Sequence, residues 1–244
     1  MIALNNIFIL LSACAVFLAF AALIKKILEK EVEYLRKKLD EEKTKKDVPA
    51  QIAEAAKKDL VRAFLKAHRP RRVIDLGCNT GQYSRLAADC GARVVAVDQS
   101  HDAVELLYRQ LREKPAPIVP MVVDLTNPSP GVGFRNRERP GFFKRVKGDC
   151  VLALALVHHL LVDGNLSLCA IRDQLADLTR RDLVVEYIPP GDPMFQRLVA
   201  ARRQRFEEIT LERFRETFAQ RFELLGLERL PNSMRSLFFL RKCG

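Results

Sequence analysis

No Cys-x-x-Cys pair occurs in this 244-residue chain, and its six cysteines (Cys14, Cys78, Cys90, Cys150, Cys169, Cys243) keep no metal-ligand spacing with its four histidines. That absence excludes a zinc ribbon or finger and offers no disulfide framework. Several of the cysteines fall in apolar runs, where a thiol behaves as a small hydrophobe; the pattern reads as free thiols in a reducing compartment, with no metal. Tryptophan is missing altogether. No internal repeat or low-complexity tract is present, which excludes solenoids and arrays. Acidic residues are outnumbered, 30 against 41 Lys and Arg, for a formal net charge of +11. Such a balance suits a partner with phosphates, either nucleic acid or an anionic lipid surface.

Positive charge is also missing ahead of the first apolar run. Ile2 to Ile24 is interrupted only by Asn5, Asn6 and Ser12, and Lys25, Lys26, Lys30, Arg36, Lys37 and Lys38 all follow it. A cleaved signal peptide wants its charge before the apolar stretch, not after. About 23 helical residues at 1.5 Å each span roughly 34 Å, enough for a hydrocarbon core. Residues 1–24 are therefore expected to be a single transmembrane anchor, with the rest of the chain facing the cytoplasm by the positive-inside rule. Residues 25–48 read as a charged helical stalk. Leu28, Val32, Leu35 and Leu39 follow a heptad seam, but fewer than three heptads give little coiled-coil stability. A domain is expected over 49–244, opening with an amphipathic helix from Ile52 to Ala67.

The most informative stretch is Val73-Ile74-Asp75-Leu76-Gly77-Cys78-Asn79-Thr80-Gly81. It reads as a buried strand ending in an acid, a sharp glycine turn and the start of a helix, the makings of a nucleotide-cofactor site. Asp98 closes a second apolar run about 20 residues on, where an acid can bind ribose hydroxyls. Asp124 closes a third. Strands are expected at Arg72–Leu76, Arg93–Asp98, Ile118–Asp124, Cys150–Leu156, Leu183–Tyr187, Phe222–Leu230 and Ser236–Arg241. Helix-length segments separate the first five, the pattern of a parallel doubly wound α/β sheet. Pro231-Asn232-Ser233-Met234-Arg235 is too short for a crossover, so the last two strands form an antiparallel hairpin.

Five parallel strands, a terminal hairpin and acids closing the first three strands resemble a class I S-adenosylmethionine-dependent methyltransferase. Asp75-Leu76-Gly77-Cys78-Asn79-Thr80-Gly81 stands where that superfamily carries its acidic-x-Gly-x-Gly-x-Gly loop, with Asn79 replacing the middle glycine. Asp75 to Gly81, Ala155-Leu156-Val157-His158-His159-Leu160, Gly133 to Arg139, and Glu186 followed by Asp192-Pro193-Met194 are similar to NoeA-like, nodulation-protein-related methyltransferases. The resemblance implies a seven-stranded Rossmann-like sheet and S-adenosyl-L-methionine as cofactor. Gly77, Cys78, Asn79 and Gly81 would pass its methionine part, with Asp75 near the ammonium or orienting the loop. Asp98, with Gln99 beside it, would take the ribose hydroxyls. Asp124 and Leu125 would bind the adenine, and Ala155 would line the sulfonium side.

An NAD(P) dehydrogenase is the rival for the same turn, but its G-x-G-x-x-G fingerprint is not met. Amino-directed nucleic-acid methyltransferases usually carry an [Asn/Asp/Ser]-Pro-Pro-aromatic motif after strand four, where this chain has Leu156-Val157-His158-His159. Nucleic acid is therefore not the expected acceptor. His158 and His159 are the candidate bases for a proton-bearing acceptor, since histidine titrates near neutral pH. Glu138 joins them from a long basic connection holding Arg135, Arg137, Arg139, Lys144 and Arg145. Glu186 is expected either to face the pocket or to pair with an arginine. Asp192-Pro193-Met194-Phe195, opening a helix to Phe206, is placed for a lid, and a second helix is expected over Leu211–Phe222. The region before the first strand shows no family-type lid, so the cofactor cover is expected to be incomplete without a partner. The reading is an anchored methyltransferase for a membrane-associated or partner-presented acceptor. Its alternative is a weak or inactive subunit, or an assembly factor, of a membrane complex.

Overall fold

Short β-branched runs flanked by helix-length stretches fold here into helices on both faces of one sheet. The computed structural model describes residues 33, 48–200, 206 and 208–244. The expected anchor and nearly all of the expected stalk lie outside these, and among the described residues no helix is long and apolar enough to cross a membrane. In chain order come α1 (residues 48–68), β1 (Arg72–Leu76), α2 (Gln82–Asp89), β2 (Arg93–Asp98), α3 (His101–Glu113) and β3 (Ile118–Val122). A 3-10 turn (Phe134–Asn136), α4 (Phe142–Arg145), β4 (Gly148–Ala153), α5 (Val157–Val162) and α6 (Leu168–Leu178) follow. β5 (Thr179–Tyr187), α7 (Pro193–Val199), α8 (Leu211–Ala219), β6 (Phe222–Arg229) and β7 (Ser236–Lys242) complete the chain.

The strands form one sheet in the order β3-β2-β1-β4-β5-β7-β6. The first five are parallel, and β7 pairs antiparallel with both β5 and β6. Alternate side chains of a strand face opposite sides of a sheet. Val73 accordingly packs with Val61, Leu65, Leu86 and Leu107, while Ile74 and Leu76 pack with Phe142, Ile171 and Leu175. Full burial of each such side chain is worth roughly 1.5–3 kcal/mol. Strand order reverses between β1 and β4, and a crevice opens at their carboxyl ends, where open α/β sheets bind ligands.

Seven strands stand where the sequence predicts them, with shifted ends that have local causes. β3 stops two residues before Asp124, because Asp124 caps a turn, its Oδ1 accepting the Thr126 N–H (2.8 Å). β4 starts at Gly148 and stops at Ala153, since Ala155 adopts a left-handed φ of +49° and Leu156 is the N-cap of α5. β5 begins four residues earlier than predicted. The helix from Pro193 ends at Val199, and the next ends at Ala219.

Candidate active site

The turn after β1 requires backbone that most residues avoid. Gly77, Asn79 and Gly81 all have positive φ, +70°, +48° and +81°. Asparagine is among the few side chains that adopt this region at little cost, which explains how Asn79 replaces a glycine. At Gly81, a Cβ would lie 2.4 Å from Cδ1 of the fully buried Leu107, so only glycine fits. Gly77 and Cys78 donate their N–H groups to the Val97 carbonyl (2.8 and 3.0 Å), and Gly81 donates to the Cys78 carbonyl (2.8 Å). The Asn79 N–H donates to Asp98 Oδ2 (2.8 Å). Four amides of this loop are thus engaged within the protein. A loop that grips phosphate must leave such amides free, so this turn suits a ligand other than a pyrophosphate.

Beyond the turn lies a cavity of about 550 Å³, inside the usual range of ligand sites, roughly 300–1,000 Å³. Gly77, Cys78, Asn79, Asp98, Gln99, Asp124, Leu125, Ala155 and His159 all line it, so the structure brings most of the sequence-predicted residues together. Among the described residues its charged lining is four carboxylates, Glu54, Asp98, Asp124 and Asp163, with no lysine or arginine. In a chain of net charge +11 that contrast selects a cationic ligand. Asp98 also accepts the Ser100 N–H at Oδ1 (2.9 Å). A carboxylate has about four lone-pair sites, so Asp98 braces the turn and still has capacity for two hydroxyls. Hydrogen bonds from the Thr126 hydroxyl and amide hold the Asp124 carboxyl below its usual range.

Asp75 and Gly81 shape the site without lining it. Asp75 is buried and accepts the Ser84 hydroxyl at 2.6 Å, which ties β1 to α2. Burial lifts its carboxyl from 3.8 to about 6. The catalytic candidates divide. His159 lines the cavity, its Nδ1 3.1 Å from Asp163 Oδ2. His158 is buried instead, against Phe195 and His159 (ring centroids 6.0 and 4.2 Å), and does not line the cavity. Burial, with help from neighbouring positive charge, depresses its imidazole to about 3, so it stays neutral and unsuited to taking a proton near pH 7. One helical turn explains the split, since consecutive residues point about 100° apart. Glu138 stands exposed on the β3–β4 connection, folded over Gly133 and outside the lining.

The cover comes from α1, which sequence reasoning did not identify. Glu54 reaches the cavity and accepts from Tyr83 Oη (2.6 Å) and Gln82 Nε2 (2.8 Å). Partial burial opposes ionisation of Glu54, but hydrogen bonds from Lys57 and Tyr83 bring its carboxyl below the usual range. Lys57 bridges Glu54 (2.8 Å) and the fully buried Glu186 (3.2 Å). Glu186 Oε2 also accepts the Ala155 N–H at 2.9 Å, and Arg235 lies 3.7 Å from Oε1. Glu186 therefore pairs with cations and holds both α1 and the Ala155 turn. The available signal was the Glu54–Lys57 pair one turn apart on α1. Asp192 is engaged elsewhere, capping α7 and gripped by Arg235 at 2.8 and 3.1 Å, and the expected lid at 192–195 does not line the cavity.

The family described as methyltransferase domain matches residues 48–232. Nodulation protein NoeA of Rhizobium meliloti (strain 1021) is 32% identical over 179 residues, 73% of this chain and 37% of that protein. The chain thus spans little more than a third of that relative. Magnesium protoporphyrin IX methyltransferase of Synechocystis PCC 6803 with bound SAH superposes at a TM-score of 0.57 with 20% identity, covering 79% of this chain and 84% of the other. N-methyltransferase NodS from Bradyrhizobium japonicum WM9 gives 0.55 with 11% identity, over 79% and 97% of the two chains. These two likenesses establish the fold, and the domain match covers most of the sequence. The chain belongs to the methyltransferase domain family, whose class I members use S-adenosylmethionine.

Proposed function

We propose that this chain transfers the methyl group of S-adenosylmethionine to an acceptor presented at a membrane. The observation that carries the cofactor reading is the cavity's four carboxylates without a lysine or arginine among the described residues, beside a turn whose amides are engaged. That chemistry fits a sulfonium and an ammonium and disfavours a dinucleotide. Asp98 and Gln99 would hold the ribose, Asp124 and Leu125 the adenine, and Gly77, Cys78 and Asn79 the methionine part, with Ala155 beside the sulfur. When bound, the cofactor supplies a methyl group on a cationic sulfur; the protein's part is to orient it and the acceptor.

His159 is the base in this reading. A carboxylate beside Nδ1, here Asp163, fixes the tautomer that leaves Nε2 as the proton acceptor. General base catalysis of this kind contributes roughly 10²–10⁴-fold. An oxygen acceptor that must lose its proton suits it better than a nucleobase. The apolar run 2–24, with basic residues following it, supports an anchored chain whose methyltransferase domain faces the cytoplasm. Incubating the purified full chain with methyl-labelled S-adenosylmethionine and membranes of its native cells tests this. Label is expected in the membrane fraction and falls at least a hundredfold with His159→Gln. Label that enters only soluble material, or is indifferent to His159, refutes it.

A further inference from the structure

The connection between β3 and β4 holds a feature that methyl transfer does not use. Phe134 is 77% exposed, the most exposed of the large hydrophobic side chains among the described residues, and Val132 beside it is 44% exposed. The loop is built rather than slack. Val132 and Arg139 form a two-way backbone bridge (3.0 and 3.1 Å), and the Asn136 N–H donates to the Gly133 carbonyl (2.9 Å). Inside it, Arg135 and Asn136 take left-handed φ of +55° and +58°. Such backbone is costly for arginine and recurs where surrounding structure enforces it at functional sites. Arg135, Arg137, Arg139 and Lys144 are all exposed, and none makes an ion pair among the described residues.

We propose that this loop, residues 131–145, docks on an anionic bilayer surface, with Phe134 entering the headgroup layer and the four cations meeting lipid phosphates and carboxylates. An aromatic side chain is favoured at the membrane–water boundary, and each Lys or Arg near the surface is attracted by anionic lipid. Single-stranded nucleic acid is the less apt occupant. Stacking successive bases needs a series of aromatic platforms, and this loop exposes one, Phe142 being buried. The proposal is independent of the cofactor reading, because docking requires no bound ligand.

The absence of tryptophan makes the test direct. Phe134→Trp places the only indole of the full chain at the loop tip. The protein is reconstituted in phosphatidylcholine vesicles with or without phosphatidylserine. Emission is expected to shift to the blue and to be quenched by brominated acyl chains only where phosphatidylserine is present. High salt reverses the shift, since exposed charges are screened. Combining it with Arg135→Gln, Arg137→Gln and Arg139→Gln removes the shift, while circular dichroism and S-adenosylhomocysteine binding remain as in the parent. Equal spectra in the two lipids, or no quenching by brominated chains, overturn the proposal. So does a shift produced by single-stranded RNA without vesicles.

Discussion

Replacing Glu186 with glutamine should destabilise the domain more than any other single charge change near the cavity. Glu186 is buried at 1% exposure, with the Lys57 ammonium at 3.2 Å, the Ala155 amide at 2.9 Å and Arg235 at 3.7 Å. Lys57 itself is 5% exposed, so losing the carboxylate leaves a buried cation with only the partly exposed Glu54 as partner. Breaking one side of such a pair costs about 3–5 kcal/mol. For a domain of this size that is a fall in Tm of roughly 6–20 °C. Urea unfolding of the full chain measures it. S-adenosylhomocysteine affinity should fall with it, because Lys57 and Glu54 hold α1 over the cavity. Pairing Glu186→Gln with Lys57→Met should restore more than half of the loss, since the orphaned charge goes too. A loss below about 1 kcal/mol, or a double variant no better than the single, would refute the assignment of Glu186 as the tie between α1 and the Ala155 turn.

Two other outcomes follow from local geometry. Asn79→Gly should bind S-adenosylhomocysteine within about threefold of the parent, whereas Asn79→Val, β-branched at a φ of +48°, should lose about tenfold or more, as read by calorimetry. His158 should make the protein acid-sensitive. Its folded value near 3 lies below the unfolded 6.5, so its contribution is complete above pH 6.5 and is lost as pH falls toward 3. The stability of His158→Phe should decline less than that of the parent between pH 6.5 and 4 in urea titrations, and parallel curves would contradict the burial argument.

Much of this molecule was legible in its sequence because strands that are buried on both faces read as continuous apolar runs. β1 and β2 have the predicted ends, and Asp98, which closes β2, lines the cavity. What escaped was set by partners distant in the chain. The end of β4 depends on Glu186, 31 residues ahead, taking the Ala155 amide. The cover depends on Glu54 meeting Tyr83 and Gln82, a contact between two helices that no local pattern announces. His158 and His159 are indistinguishable as neighbours in sequence, yet one turn of α5 buries the first and opens the second to the cavity. Asn79 departs from the glycine of the expected loop, and its left-handed φ shows a residue that meets the same backbone requirement.

The measurement that bears most directly on the cofactor site is calorimetric titration of the full chain with S-adenosylhomocysteine, for the parent and for Asp98→Ala. Asp98 braces the turn through the Asn79 and Ser100 amides and supplies the lone pairs assigned to the ribose, so two or more charge-assisted hydrogen bonds depend on it. The expected result is micromolar binding by the parent and at least a hundredfold weakening by Asp98→Ala, about 3 kcal/mol. No binding by the parent at millimolar ligand, or equal affinity in the two proteins, would contradict the account.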